Sequence, residues 1–188
     1  MEAYLKIIEK RLSKERFQHS LGVAETGRKL ALINGVNADD AYLAGLLHDY
    51  AKDLPEGQLL EIAQTNNLIL DEVEVNEPHL LHGPVGAWLT EKELGITNKD
   101  ILNAIKFHTT GCREMSKLTQ IIYIADLIEP NRNFPGVESL RKSAFDNLTQ
   151  GVLNGLNWSI KYVLEKDFLL HSLSIQARNW LIMSGTVK

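Results

Sequence analysis

Apolar residues recur three to four positions apart along nearly the whole chain, the spacing that gives a helix one buried face. Leu5, Ile8 and Leu12 form a first stripe, and Phe17, Leu21, Ala24, Leu30 and Ala31 approximate a second. Asn37, followed by Ala38-Asp39-Asp40, predicts a helix start with the asparagine as cap and acidic residues in the first turn. That helix runs through a mostly apolar stretch into His48-Asp49. Pro55 opens a short helix through Ala63, and residues 66–81 read as irregular, polar and acidic. His82-Gly83-Pro84 begins the next helix, with Pro84 near its first turn and Gly95 as its stop. Asn98 caps a helix ending near His108, and Thr109-Thr110-Gly111 is a turn. From Ser116 to Ile128 the spacing is helical again, until Pro130; residues 131–136 form a loop. One long amphipathic helix then spans about Val137 to Glu165, and a last one roughly Ser174 to Met183. With no strand pair, repeat or linker, the pattern predicts an all-α fold in a single domain, residues 1–188.

Composition narrows the function classes. A formal net charge of −4 argues against a non-specific nucleic-acid binder. It does not exclude an anionic substrate, because a bound cation and a few local Arg and Lys can reverse the sign within a pocket. No apolar run is long enough to span a bilayer, so no membrane partner is expected. The first residues are mixed and charged rather than signal-like. Cys112 is the single cysteine, which excludes an intrachain disulfide and fits a reducing cytoplasm.

The candidate chemistry centres on His48-Asp49, with His19 upstream and Asp126 far downstream. A histidine and an aspartate together at the end of a buried helix cost desolvation unless a charge compensates them. Asp126 interrupts the apolar run Ile121-Ile122-Tyr123-Ile124-Ala125, where a carboxylate without a partner is costly. Imidazole and carboxylate together suit a divalent metal, and helices donating one or two ligands each are how bundles build metal sites. His82 and His108 both sit beside a Gly or a Thr-Thr-Gly turn, and glycine permits close backbone approach to a ligand.

The order His19…His48-Asp49…Asp126 resembles the HD-domain metal-dependent phosphohydrolases. RFQHS (16–20), HDYAKD (48–53), HGPVGA (82–87), FHTTG (107–111) and ADLIEPNRNFPGVE (125–138) resemble the bacterial YqeK group within them. The resemblance implies an HD-domain helical bundle with a metal site in its core. It implies that His19, His48, Asp49 and Asp126 hold a first divalent ion, expected to be iron, with manganese or cobalt as substitutes. His82 and His108 would serve a second ion, with Asp49 as bridge, or else hydrogen-bond substrate phosphate.

Several cations and donors complete the expected site. Lys52 follows Asp49 at helical spacing and is a candidate for phosphate neutralisation, with Asp53 orienting it or a water. Arg16 precedes His19 at the same spacing, and Arg132 lies in the loop beyond Asp126; both have the planar fork that suits phosphate. Thr109 adds a hydroxyl beside His108, and His171 stands before the last helix, whose N-terminus favours an anion. Cys112 reads as an incidental thiol, and Trp88, Trp158 and Trp180 as core or interface.

The activity that the resemblance implies is symmetrical hydrolysis of diadenosine tetraphosphate to two ADP by a metal-activated water. Asp49, Lys52, His82 and His108 would carry the chemistry. Arg16, Asp49, Lys52, His82, His108, Thr109, Asp126, Arg132 and His171 would contact substrate. The alternatives are an HD phosphohydrolase acting on another nucleotide and a non-catalytic nucleotide sensor. A homodimer built on the long C-terminal helix is the expected assembly.

Overall fold

The computed structural model describes residues 1–185, and among these every regular element is helical. In chain order they are α1 (Glu2–Arg11), α2 (Lys14–Asn34), α3 (Ala38–Leu47), α4 (Glu56–Thr65) and the short α5 (Val73–Asn76). A 3₁₀ turn (Pro78–Leu81) leads into α6 (His82–Leu94), α7 (Lys99–Phe107) and α8 (Lys117–Ile128), followed by α9 (Val137–Asp146), α10 (Leu148–Glu165) and α11 (Ser172–Met183). No helix among the described residues is long and apolar enough to cross a membrane.

Caps explain the boundaries. Asn37 accepts hydrogen bonds from the backbone N–H groups of Asp39 and Asp40, Asn98 from that of Asp100, and Ser116 from that of Thr119. Each satisfies donors that a helix start leaves without partners. One continuous core runs through the bundle, with Ile8, Leu30, Leu46, Leu47, Ile105, Ile121, Ile122 and Ile124 fully buried. Each contributes roughly 1.5–3 kcal/mol over its exposed state.

Two glycines set the helix crossings that create the site. A Cβ at Gly45 would lie 2.8 Å from the Cα of Ala24, so α3 presses on α2 backbone to backbone. That contact brings His48, at the end of α3, against His19 of α2. A Cβ at Gly83 would meet the carbonyl oxygen of Lys106 at 2.7 Å, which presses the start of α6 onto the end of α7. His82 and His108 thereby become neighbours. The glycine beside His82 serves helix packing, where the sequence suggested approach to a ligand.

Three local expectations need correction. The long helix expected over 137–165 is broken at Asn147, which is extended (φ −153°) and caps α10 through its side chain on Gln150 N–H. Gly151 permits the break, since its Cβ would lie 2.4 Å from the Cα of Ala144, and α10 folds tightly back on α9. Residues 66–81 are not wholly irregular: they hold α5 and the 3₁₀ turn, fixed by Glu74, whose buried carboxylate accepts from the N–H groups of Leu70 and Asp71. The last helix starts two residues early, at Ser172, because the His171 Nδ1 caps it on Leu173 N–H.

Candidate metal centre

Three helix termini and two helix interiors deliver the candidate ligands to one place. His48 and His108 follow the last residues of α3 and α7, His82 opens α6, and Asp49 stands one residue beyond His48. His19 and Asp126 project from within α2 and α8. His48, Asp49, His82 and His108 are almost entirely buried.

Each imidazole is aimed by its Nδ1. In His48 it donates to Gly45 O at 2.7 Å, in His82 to His79 O at 2.5 Å, and in His108 to Ile105 O at 2.8 Å. In His19 it faces Glu129 Oε1 at 3.1 Å. With the proton fixed on Nδ1, every Nε2 presents a bare lone pair inward. His19 and His48 Nε2 are 3.2 Å apart, and His82 and His108 Nε2 are 3.0 Å apart. Two such nitrogens repel at that distance unless a cation lies between them.

The carboxylates complete two adjoining donor groups. Asp126 Oδ1 is 2.9 Å from His19 Nε2 and 4.0 Å from His48 Nε2. Asp49 divides its oxygens: Oδ2 is 3.5 Å from His48 Nε2 and 3.9 Å from His19 Nε2. Its Oδ1 is 3.3 Å from His82 Nε2 and 3.6 Å from His108 Nε2. Both His19–His48–Asp126 and His48–Asp49–His108 keep their ligand atoms within 4.8 Å of one another, so each group could hold a metal ion. Imidazole nitrogen, carboxylate oxygen and the carbonyl or carboxylate behind each ring form a donor set that fits a divalent ion.

The electrostatics agree with that fit. Burial presses the Asp49 carboxyl upward, but His48, His82 and His108 around it outweigh burial and hold it well below the usual range. The Asp126 carboxyl is likewise held well below, since His19 and Arg132 overcome its burial. Burial drives His82 and His108 down to about 4 and lowers His48, keeping these imidazoles neutral as ligands must be. His19 is raised: burial lowers it, and the Asp126 carboxylate more than offsets this.

Cations border the cluster. Arg16 Nη1 lies 3.2 Å from Asp49 Oδ2. Arg132 is bidentate on Asp126, with Nη2 2.5 Å from Oδ1 and Nε donating to the backbone carbonyl at 2.8 Å. Lys52 Nζ is 3.4 Å from both nitrogens of His82, which places the ammonium over the ring. It gets there from a run of turns after α3, not from a continued helix. Burial lowers the Lys52 ammonium from its ordinary value. Thr109 Oγ1 is 3.0 Å from His108 Nε2 and 3.3 Å from His82 Nε2.

Two expected roles find other geometry. Asp53 accepts from Ser13 N–H at 2.6 Å and so ties down the start of α2 rather than orienting Lys52. His171 is buried, with Nδ1 on the helix cap and Nε2 facing Glu74 Oε1 at 3.4 Å. It lines the adjoining cavity by its ring. Cys112 stands apart, its thiol pushed up to about 11 by burial.

That cavity, of about 190 Å³, starts at His108, Thr109 and Asp126 and is walled by Tyr123, Trp158, Tyr162, Leu169, Leu170 and His171. It is smaller than the roughly 300 Å³ at which whole-ligand pockets begin, and so suits part of a long ligand. Trp158 is a wall of this cleft, stacked with Tyr162 and in tilted contact with Phe134, where the sequence pointed to core or interface. Helical spacing places Trp158 on an apolar face but does not say that the face borders a cleft. Glu129 was also missed as a functional residue. An acid between Ile128 and Pro130 looks like a solvated helix end, yet it is buried behind His19.

Residues 16–131 match the HD domain family. The chain is 35% identical to the symmetrical bis(5'-nucleosyl)-tetraphosphatase of Bacillus subtilis (strain 168), over 96% of this chain and 97% of that protein. It is 36% identical to the protein of the same description from Halalkalibacterium halodurans, over 95% of each. A crystal structure from Clostridium acetobutylicum, described as a predicted HD superfamily hydrolase involved in NAD metabolism, matches with a TM-score of 0.94. Identity there is 42%, over 97% of both chains.

Proposed function

The chain belongs to the HD domain family, and from that membership we propose that it is a metal-dependent hydrolase cleaving diadenosine tetraphosphate symmetrically into two ADP. The observation that carries the reading is the Asp49 carboxylate set between the His19–His48 and His82–His108 nitrogens, in a cluster whose His108 and Asp126 line a cleft. The near full-length likeness to symmetrical tetraphosphatases supports the substrate.

His19, His48, Asp49 and Asp126 would hold one ion, and His82 and His108, with Asp49, would hold a second. Iron is our assignment, with manganese or cobalt able to replace it, since mixed imidazole and carboxylate ligands suit these ions. A divalent ion in such a set supplies Lewis acidity toward phosphoryl oxygens and acidifies water.

The remaining steps belong to the protein. Arg16 and Arg132 each keep part of the guanidinium open to solvent. They meet the phosphoryl oxygens as charge builds there in the transition state. Lys52 neutralises a further phosphate from above His82. Thr109 donates from its hydroxyl beside His108. The cleft takes one nucleoside against Trp158 and Tyr162, with His171 as part of its wall, and leaves the second nucleoside outside. That division sets a central phosphorus beside the donor groups, and each product is ADP.

The fold's continuous core supports one functional domain over the chain. We assign the enzyme to the cytoplasm, in keeping with its single thiol. Leu164, Phe168, Ile182 and Met183 lie exposed on or beside α10 and α11 and support a homodimer through that side.

Product chromatography after incubation with diadenosine tetraphosphate tests the proposal. ADP alone is the expected result. AMP with ATP refutes the placement of a central phosphorus. Intact substrate beside metal-loaded protein refutes this activity and directs the assay to other nucleotides, those of the NAD metabolism named in the description of the Clostridium protein included, or to a sensor role.

A further inference from the structure

We propose that Glu129 is a positioning residue: one oxygen seats the His19 imidazole for the ion, and the other fixes the loop that carries Arg132. Gly22 is the gap that its carboxylate requires. The inference rests on reading His19 as a ligand.

The four histidines are not oriented alike. His48 and His108 follow the last turns of α3 and α7, and His82 follows the 3₁₀ turn. Carbonyls at such helix ends lie within reach of a side chain just beyond them, and each of these rings takes the one three residues back, His79 O accepting the backbone N–H of His82 as well. His19 lies inside α2, where the local carbonyls are already used by the helix. Its Nδ1 needs a remote acceptor, and Glu129 Oε1 stands there at 3.1 Å. An anionic acceptor also makes Nε2 a more basic ligand.

The second oxygen does separate work. Glu129 Oε2 accepts from Asn131 N–H at 2.7 Å and sets the direction of the chain into Arg132. Arg132 in turn grips Asp126. A single carboxylate, 1% exposed, thus links a ligand of α2 to the guanidinium that braces a ligand of α8. Gly22 faces it one turn beyond His19. A Cβ there would lie 2.5 Å from Glu129 Oε2, so alanine at this position must displace the carboxylate.

The substitutions discriminate because glutamine has one oxygen where two acceptors are needed. In Glu129→Gln the amide must face either the His19 N–H or the Asn131 N–H, donor against donor. The experiment titrates Co²⁺ into metal-free wild type, Glu129→Gln, Glu129→Ala, Gly22→Ala and the Gly22→Ala/Glu129→Ala double variant. His19→Ala serves as control, and circular dichroism and Tm are recorded for each protein. The expected result is a loss of about 10–100-fold in Co²⁺ affinity for Glu129→Gln and for Gly22→Ala, with helical content retained. Gly22→Ala should then cost nothing further once Glu129 is alanine, since its clash partner is gone. Wild-type affinity in both single variants overturns the proposal. So do losses that only track the unfolded fraction, or effects of Gly22→Ala that persist undiminished in the Glu129→Ala background. If wild type takes up no Co²⁺, or His19→Ala binds it as tightly, the ligand reading itself fails and this inference with it.

Discussion

His82 and His108 hold their Nε2 atoms 3.0 Å apart, and each ring's proton is committed to a carbonyl on its other side. The pair is therefore strained without a cation and relieved by one. Chelation should lower thermal stability as well as abolish turnover, and added Fe²⁺, Mn²⁺ or Co²⁺ should restore both. A ligand at a hundred times its Kd stabilises by about 2.7 kcal/mol, and each kcal/mol moves Tm by roughly 2–4 °C at this chain length. A shift of several degrees in a melting curve is expected; a Tm indifferent to chelator counts against the metal centre.

Asp49 serves both donor groups through its two oxygens. Asp49→Ala should abolish turnover and reduce bound metal at both positions, with far-ultraviolet circular dichroism largely intact. Metal analysis of the purified variant is the direct check. Retained activity refutes the shared-carboxylate arrangement.

Lys52 contacts the edge of the site and none of the carboxylates directly. Lys52→Ala should reduce kcat/KM on the tetraphosphate by about 10–100-fold, the scale of one phosphate interaction of 1.5–3 kcal/mol. Metal content should stay at the wild-type level, and its loss would mean that Lys52 supports the ligands instead.

Trp158 lines the cleft and touches the Phe134 and Tyr162 rings. Stacking of a base on an aromatic ring is worth about 1–3 kcal/mol, so Trp158→Ala should raise KM by roughly 5–100-fold at unchanged metal content. An unaltered KM would move the nucleoside out of this cleft.

The metal-free protein should lose stability in mild acid. His82 and His108 stand at about 4, below the ordinary 6.5. Between those values the unfolded chain binds protons that the fold refuses, so stability rises with pH there. The contribution is complete above about 6.5 and disappears as pH falls toward 4. His19, raised by Asp126 against its burial, works in the opposite direction and reduces the effect without reversing it. Unfolding free energies from urea titrations at pH 7 and pH 5 should differ by on the order of 2 kcal/mol. His108→Ala should flatten the difference.

Much of the fold was legible because helix periodicity, caps and stops are local signals. Asn37, Asn98, Ser116 and Gly95 mark ends that the structure keeps. The break at Asn147 was not legible, since its apolar spacing continues across it and only the backbone contact of Gly151 with Ala144 forces the turn. The candidate ligands were legible as polar residues set into apolar runs, where their burial needs a reason. Glu129, Gly22 and Trp158 carried no such sign. Their roles come from what the tertiary fold puts opposite them, more than a hundred residues away for Glu129 and His19.

Part of the cleft wall comes from a stretch of chain that supplies none of the candidate ligands. Every candidate ligand falls within residues 16–131, the stretch that matches the HD domain, while Trp158, Tyr162, Leu169 and Leu170 lie beyond it. Under the proposed function, the candidate metal ligands and much of the nucleoside wall therefore lie in separate parts of one chain. A lineage can inherit the first intact and let the second drift, so relatives sharing this ligand set need not share a nucleotide. On that reading, an exchange of the stretch from Trp158 onward between two such proteins should alter nucleotide preference and leave the ligand set in place.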